Sequence, residues 1–161
     1  ATEMRQAGVP FGETRIGVHT GEVIVGNFGG SRHLDYRAFG DAINTAARLE
    51  TANKVVGTRI IVSTDACARC TEPTPMRPIG DLLLKGKSRP VTALTPLSAD
   101  ERASELPRDY ERAYRAMQQL EPNARALFET CAARFPDDAL TRFHLERLRA
   151  GEQGTAFGVG L

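Results

Sequence analysis

The sequence predicts an α+β fold that is followed by a small helical extension. Up to about Leu97 the chain is rich in Gly, Val, Ile and Thr, and turn residues separate its short apolar runs. This composition and spacing are typical of strands alternating with helices. From Ala99 to Ala150 glycine is absent and apolar residues recur at helical spacing, which predicts helices. The length of 161 residues is that of one domain, or of a domain with a short appendage.

Composition and charge exclude several classes of protein. Hydrophobic residues make up 41% and charged residues 25% of the chain, which is typical of globular proteins. The net charge of +1 argues against a protein that binds nucleic acid through bulk charge. No apolar run approaches the length of a membrane span, and the first residues lack a secretory pattern. Because three cysteines cannot all pair, we expect a reducing, cytoplasmic compartment.

The first strands are predicted from β-branched runs and turn residues. Residues 15–19 and 22–26 flank Thr20-Gly21, a pattern that predicts a two-residue hairpin. Residues 29–31 form a further turn signal, and residues 34–39 predict a strand that ends before Gly40.

Two later segments complete the predicted sheet. Residues 58–62 form a β-branched strand, and Ser63 is placed to cap the short helix after it. Residues 82–84 and 91–97 predict a second hairpin, whose tip at residues 85–90 is basic.

A helix from Asp41 to about Asn53 carries the most informative polar face. At 100° per residue, one side of this helix holds Ala42, Ile43, Ala46, Leu49 and Asn53, and the opposite side holds Asp41, Asn44, Arg48 and Thr51. Asn44 and Arg48 are four residues apart and therefore project together. An amide beside a guanidinium suits a polar or anionic ligand oxygen, but a solvated helix face gives the same pattern.

A spaced motif runs from Arg15 to Glu50. It matches the pattern G-[IV]-H-x-G, then G, then Y-x-x-x-G-x-x-[VI]-N-x-[AS]-x-R-[LM]-[ED] at Gly17, His19, Gly21, Gly26, Tyr36, Gly40, Ile43, Asn44, Ala46, Arg48, Leu49 and Glu50. Leu84-Lys85-Gly86-Lys87 then matches a late L-K-G-[KLV] hairpin. In these residues the chain closely resembles the second half of the class III adenylate/guanylate cyclase catalytic domain, over about residues 1–97.

The resemblance refines the predicted domain organisation. Residues 1–98 are expected to form the C-terminal part of a cyclase domain, with a ferredoxin-like mixed sheet and helices packed against it. Residues 99–150 are the helical extension, and residues 151–161, which include four glycines, are expected to be a flexible tail.

The resemblance also implies an activity and roles for individual residues. Class III cyclases convert a nucleoside triphosphate to the 3′,5′-cyclic nucleotide and pyrophosphate with two metal ions, at the interface of two cyclase domains. By resemblance, Asn44 would hold the ribose and Arg48 would stabilise charge around the α-phosphate. Arg32 would grip the triphosphate, and Lys85 would contact the terminal phosphates.

The residue that follows Tyr36 departs from the family. This position helps to select the purine and is usually Asp or Thr in adenylate cyclases and Cys in guanylate cyclases. Here it is Arg37, which donates hydrogen bonds but cannot accept one from the adenine amino group. We expect Arg37 to be a nucleotide-binding residue, with ATP favoured over GTP.

A second departure concerns the metal ions. The family's metal-binding aspartates belong to the first half of the domain, upstream of the matching motif. Glu3 and Glu13 lie in no corresponding motif, and Asp35 and Asp41 lie in the wrong segment. We therefore expect Mg²⁺ or Mn²⁺ only in an intact cyclase domain, no metal on this chain, and little or no activity of this chain alone.

The leading functional hypothesis is an adenylate cyclase in cyclic-nucleotide signalling, located in the cytoplasm or in the cytoplasmic part of a membrane-attached cyclase. The alternative is a non-catalytic dimerisation or regulatory module derived from a cyclase. In either case we expect a homodimer, or pairing with another cyclase domain, because missing strands would leave sheet edges and apolar faces uncovered. Neither hypothesis involves nucleic acid or a direct membrane segment.

The extension and two smaller signals are interpreted more simply. From Pro107 onward, three amphipathic segments with small residues at the predicted crossing look like one tetratricopeptide-style unit, serving either as a cap or as a docking site. Cys67 and Cys70 form a single CxxC pair, for which we expect a structural or incidental role rather than zinc binding. We expect His19 to be packed and hydrogen-bonded rather than a catalytic base.

Overall fold

A computed structural model describes residue 8 and residues 14–30, 33–72 and 74–160. The fold is α+β, as predicted, with a mixed sheet and helices packed on it. The elements in chain order are β1 (Ile16–Val18), β2 (Ile24–Gly30), β3 (His33–Phe39), α1 (Asp41–Val56), β4 (Ile60–Ser63), α2 (Thr64–Cys67), β5 (Met76–Leu83), β6 (Val91–Pro96), α3 (Ala99–Ala103), α4 (Leu106–Gln118), α5 (Ala124–Arg134), α6 (Ala139–Arg149) and β7 (Ala156–Gly158).

The strands form a 5-stranded sheet in the order β1-β4-β6-β5-β7 and a separate 2-stranded ribbon of β2 and β3. In the larger sheet, β1 is parallel to β4 and β7 is parallel to β5, whereas β6 is antiparallel to both of its neighbours. The hairpin predicted over residues 82–97 is therefore confirmed as the β5–β6 pair.

The hairpin predicted around Thr20-Gly21 is wrong. β1 pairs with β4, and β2 pairs instead with β3 across the next turn, from Ile24↔Phe39 to Gly30↔His33. The reason lies in tertiary contacts, because α1 packs so closely on β1 that a Cβ on Gly17 would lie 2.1 Å from the Ala46 carbonyl oxygen, whereas Ile24 of β2 remains 74% exposed. Contacts between elements distant in sequence thus outweigh a local turn signal.

The β2–β3 ribbon is apolar and poorly covered. Large hydrophobic side chains are exposed on it or directly before it, namely Val23, Ile24, Val25, Tyr36 and Phe39. The ribbon therefore presents an apolar surface that its own chain does not bury.

Helix α1 extends to Val56, beyond the predicted end near Asn53. Its buried face is formed by Thr45, Leu49, Ala52, Asn53 and Val56. Ile43, which was expected on that face, is 39% exposed. Asn53 is buried because its amide is satisfied: Nδ2 donates to the Ile16 carbonyl at 3.1 Å, which fixes α1 to β1.

Local capping begins α2 and ends α1, and the sequence predicted the first of these two caps. Ser63 caps α2, and its Oγ accepts a hydrogen bond from the Ala66 amide. Gly57 ends α1 in the left-handed conformation, at φ 75°. A Cβ on Gly57 would lie 2.5 Å from the Cβ of Ala139, so glycine also permits α6 to approach the end of α1.

The helical extension packs on the sheet. Tyr110 and Phe128 are fully buried, with ring centroids 5.9 Å apart, and the Tyr110 hydroxyl donates to the Pro78 carbonyl on β5 at 2.7 Å. The helices α4, α5 and α6 match the three predicted segments. Their assignment as a tetratricopeptide-like unit stays a prediction.

A buried ion pair joins the two parts. Arg77 on β5 donates to both carboxylate oxygens of Asp138, the N-cap of α6, at 3.0 and 2.8 Å. The Arg77 side chain is 5% exposed and that of Asp138 is 9% exposed. The pair is 61 residues apart in sequence and had no local signal.

The flexible tail predicted for residues 151–161 is wrong for the residues that the structure describes. Ala156–Gly158 forms β7, and Phe157 and Val159 are buried. The buried Arg147 guanidinium donates to the Ala156 carbonyl at 3.1 Å and lies over the Phe157 ring at 4.5 Å from its centroid. Apolar burial and these contacts hold the segment despite its glycines.

Among the helices described, none combines the length and the apolar character that a membrane crossing requires.

Candidate active site

The polar face of α1 forms the base of the candidate site. Asp41, Asn44 and Arg48 follow one another at helical spacing, so they form one row along the helix. Asp41 and Asn44 are exposed and Arg48 is half-buried. Since Thr45 and Leu49 bury the other side against the sheet, the row is held outward by the packing of α1.

The tip of the β5–β6 hairpin lies against this row. Arg48 donates from Nη1 to the backbone carbonyl of Lys85, so the structure brings together two of the predicted site residues. Next to it, the Lys87 ammonium pairs with the Asp41 carboxylate. This hydrogen bond and the Lys87 charge outweigh desolvation and lower the pKa of Asp41 below its ordinary value.

Arg37 and Asn44 line a shallow depression beside the start of α1. Its volume is about 390 Å³, and its lining is completed by Ala38, Phe39, Gly40 and Ile43. Arg37 is exposed and donates to the Asp35 carboxylate at 2.5 Å. Arg37 thus lies close to Asn44, and the described contacts tie its guanidinium to Asp35 rather than to the Arg48–Lys85 pair.

The other predicted site residue, Arg32, lies outside the described residues. His19 is hydrogen-bonded through Nδ1 to the Ser63 hydroxyl at 2.8 Å, in line with the packed histidine expected there.

The described residues do not fit a metal ion. Over the parts of the chain that the structure describes, no three His, Cys, Asp or Glu side chains group so that they could hold one. Asp41 in the row is engaged by Lys87, and Asp35 on β3 is engaged by Arg37. In the CxxC pair, burial and the neighbouring Cys70 raise the pKa of Cys67, which disfavours the thiolate that zinc requires.

The Asp41–Lys87 ion pair was not anticipated. The sequence placed Lys87 in a basic tip and Asp41 on the polar helix face, but nothing in it related positions 46 residues apart. The usable signal was the motif itself, since Lys87 is the last residue of the late L-K-G-[KLV] match and Asp41 directly follows the motif residue Gly40.

Comparison with known proteins decides the family. The pattern of the adenylate and guanylate cyclase catalytic domain matches residues 4–95. The chain belongs to this family. The matched range includes the α1 row and the hairpin tip, and it ends before the helical extension.

Individual relatives of this cyclase domain are adenylate cyclases. Adenylate cyclase 1 of Rhizobium meliloti (strain 1021) is 42% identical over 84 residues, which cover 52% of this chain and 13% of that protein. An adenylate cyclase of Anabaena cylindrica is 32% identical over 91 residues, covering 54% of this chain and 18% of that protein. The chain thus spans less than a fifth of the length of these relatives.

A solved structure supports the fold. The adenylyl cyclase CyaB from P. aeruginosa superimposes with a TM-score of 0.51 at 29% identity, over 61% of this chain and 50% of that chain.

Proposed function

We propose that this cyclase domain serves ATP cyclisation to 3′,5′-cyclic AMP and pyrophosphate, and that this chain contributes the Asn44/Arg48 half of the site. The observation that carries the proposal is the juxtaposition of the α1 row with the hairpin tip, where Arg48 meets the Lys85 backbone. The relatives named adenylate cyclase support ATP as the nucleotide.

Each cation suits a different part of the reaction. A planar guanidinium at Arg48 can stabilise the negative charge that spreads over the α-phosphate oxygens in the transition state. The flexible ammonium of the exposed Lys85 suits the terminal phosphates, whose charge grows as pyrophosphate departs. The Asn44 amide, one turn before Arg48, can hold a ribose oxygen, and Arg32 remains a candidate for the triphosphate.

Arg37 is proposed as a nucleotide contact in the depression beside Asn44. With its guanidinium bound to Asp35, the pair offers both a donor and a carboxylate acceptor near the base. The adenine amino group requires an acceptor, which Arg37 cannot provide and which the Asp35 carboxylate does provide. We place GTP second because the relatives named adenylate cyclase favour ATP.

The metal chemistry of the family must come from elsewhere. Mg²⁺ or Mn²⁺ supplies Lewis-acid activation when bound to an intact cyclase domain. Because the described residues form no metal group, we propose that this chain by itself makes little or no cyclic nucleotide. Its partner would be a second copy of the cyclase domain, paired through surfaces that include the apolar ribbon.

A non-catalytic interaction module is the second candidate. The observation that favours it is the same ribbon, where Ile24 is 74% and Tyr36 is 73% exposed. Such a surface would allow this chain to bind and regulate an intact cyclase without contributing to the reaction.

A complementation experiment separates the two candidates. This chain is mixed with a longer chain that carries the upstream half of the domain but has its own Asn and Arg replaced, and cyclic nucleotide is measured from ATP and GTP with Mn²⁺. Turnover on mixing supports the half-site, and Arg48→Ala should reduce it about 100-fold. Arg69→Ala, at an exposed arginine beyond α2, is the matched control and should have no effect. Association without turnover would favour the interaction module.

A further inference from the structure

The hairpin tip, residues 84–90, is built as a short rigid turn. Leu84 is 3% exposed and anchors the base of the tip in the core. The Lys87 amide donates to the Leu84 carbonyl at 3.0 Å, which closes the turn. Gly86 lies inside it at φ 75°, a conformation that a side chain would strain. The backbone of Lys85 is therefore fixed by its immediate neighbours.

Two contacts attach this turn to α1. The Lys87 ammonium pairs with Asp41 in the first turn of the helix, and the Lys85 carbonyl accepts from Arg48 further along. Positions 41 and 48 are about 10 Å apart along a helix axis. The tip consequently lies along the polar row and passes beside Asn44.

The two lysines of the tip differ in exposure and in their partners. The Lys87 side chain is 19% exposed, whereas Lys85 is exposed and its ammonium pairs with no carboxylate in the described part of the chain. The tip thus commits one lysine to the helix and leaves the other available for a ligand.

We propose that Asp41 and Lys87 are positioning residues, whose ion pair holds the hairpin tip so that Lys85 and Arg48 stay on the same side of the nucleotide. This inference rests on the function proposed for Lys85 and Arg48. It adds two residues that touch neither the phosphates nor the ribose.

The expected signature is a small effect on stability with a larger effect on turnover. The Asp41 side chain is 70% exposed, and an ion pair with one partner in solvent contributes little to global folding, so removing it should leave the unfolding midpoint nearly unchanged. Misplacing a phosphate-binding cation by a fraction of an ångström costs far more in rate. We expect about tenfold lower kcat in the complementation assay and a smaller change in KM, because orientation in the transition state is what is lost.

The first test needs no activity and uses this chain alone. Hydrogen–deuterium exchange of residues 84–90 is compared for wild type, Asp41→Asn, Lys87→Gln and the double variant. We expect the tip amides to exchange about two- to fivefold faster in each single variant than in wild type. In the double variant they should exchange no faster than in either single variant. Lys87→Arg should keep wild-type exchange. Asp65→Asn is the matched control, since Asp65 lies exposed in the first turn of α2 and has no ion pair with the described residues.

The second test follows the same variants through complementation. A loss of turnover in Asp41→Asn and Lys87→Gln that Lys87→Arg escapes supports the positioning role. Unchanged tip exchange, additive effects in the double variant, or faster exchange without any loss of turnover would each overturn it. If wild-type complementation fails, the catalytic role falls with the proposed function, whereas the exchange experiment still decides whether the ion pair holds the tip.

Discussion

The β2–β3 ribbon and the junction between sheet and extension bury their apolar residues very differently. At the junction, Tyr110 and Phe128 are fully buried, whereas Ile24 and Tyr36 on the ribbon are 74% and 73% exposed. Apolar residues at the junction stabilise the fold, while those on the ribbon are available to another surface. The comparison teaches that one part of the molecule buries its own apolar side chains, whereas the ribbon beside the candidate site leaves them exposed.

The largest expected effect comes from the junction core. Phe128→Ala should lower the free energy of unfolding by about 3–5 kcal/mol, because it empties a fully enclosed position. Tyr36→Ala on the ribbon should change it by no more than about 0.5 kcal/mol. Urea denaturation of both variants measures the difference. Similar losses of unfolding free energy in the two variants would refute it.

The second-largest loss of stability is expected when the buried ion pair of Arg77 and Asp138 is broken. Asp138→Asn leaves the Arg77 charge buried without its partner and should cost about 3 kcal/mol, against about 0–1 kcal/mol for the exposed Asp35→Asn. Burial alone would raise the pKa of Asp138, but the hydrogen bonds and charge of Arg77 lower it below the ordinary 3.8. The contribution is therefore complete above about pH 4 and is lost as the pH falls through the lowered pKa. Equal losses of unfolding free energy in Asp138→Asn and Asp35→Asn would contradict a special contribution from the buried pair.

His144 should make the junction sensitive to acid over a different range. Burial, followed by the Arg147 charge, lowers its pKa from 6.5 to about 3. Between these values the unfolded chain binds a proton that the folded chain does not, so stability falls as the pH drops below 6.5. We expect about 2 kcal/mol less stability at pH 5 than at pH 7 from this residue, measured by denaturation at both values. His144→Gln should remove this difference, and an unchanged slope in the variant would argue against a buried neutral histidine.

The smallest energetic effect should come from the ribbon, in association rather than folding. Ile24→Ser should leave the unfolding free energy within about 0.5 kcal/mol of wild type and weaken self-association about tenfold. Analytical ultracentrifugation over a concentration series measures this. A wild-type chain that stays monomeric at high concentration would remove the homodimer from the proposal.

A structural element could be predicted from the sequence where local interactions determine it. The α1 helix, the Ser63 cap and the β5–β6 hairpin follow from periodicity and turn residues, and the structure contains all three. The partner of β1 and the placement of the tail residue Phe157 do not, because both depend on contacts with elements distant in sequence. Within the candidate site, the motif identified Asn44, Arg48 and Lys85. The pairing of the exposed Asp41 with the half-buried Lys87 required the fold to bring two distant charges together.

Helix α1 has its two ends attached to different parts of the molecule. Its C-terminal end meets α6 where Gly57 touches Ala139, and its first turn is bound to the hairpin tip through Asp41. A helix of this length spans about 24 Å. The extension and the candidate site therefore share one helix, because α6 contacts its C-terminal end and Asn44 lies near its N-terminal end.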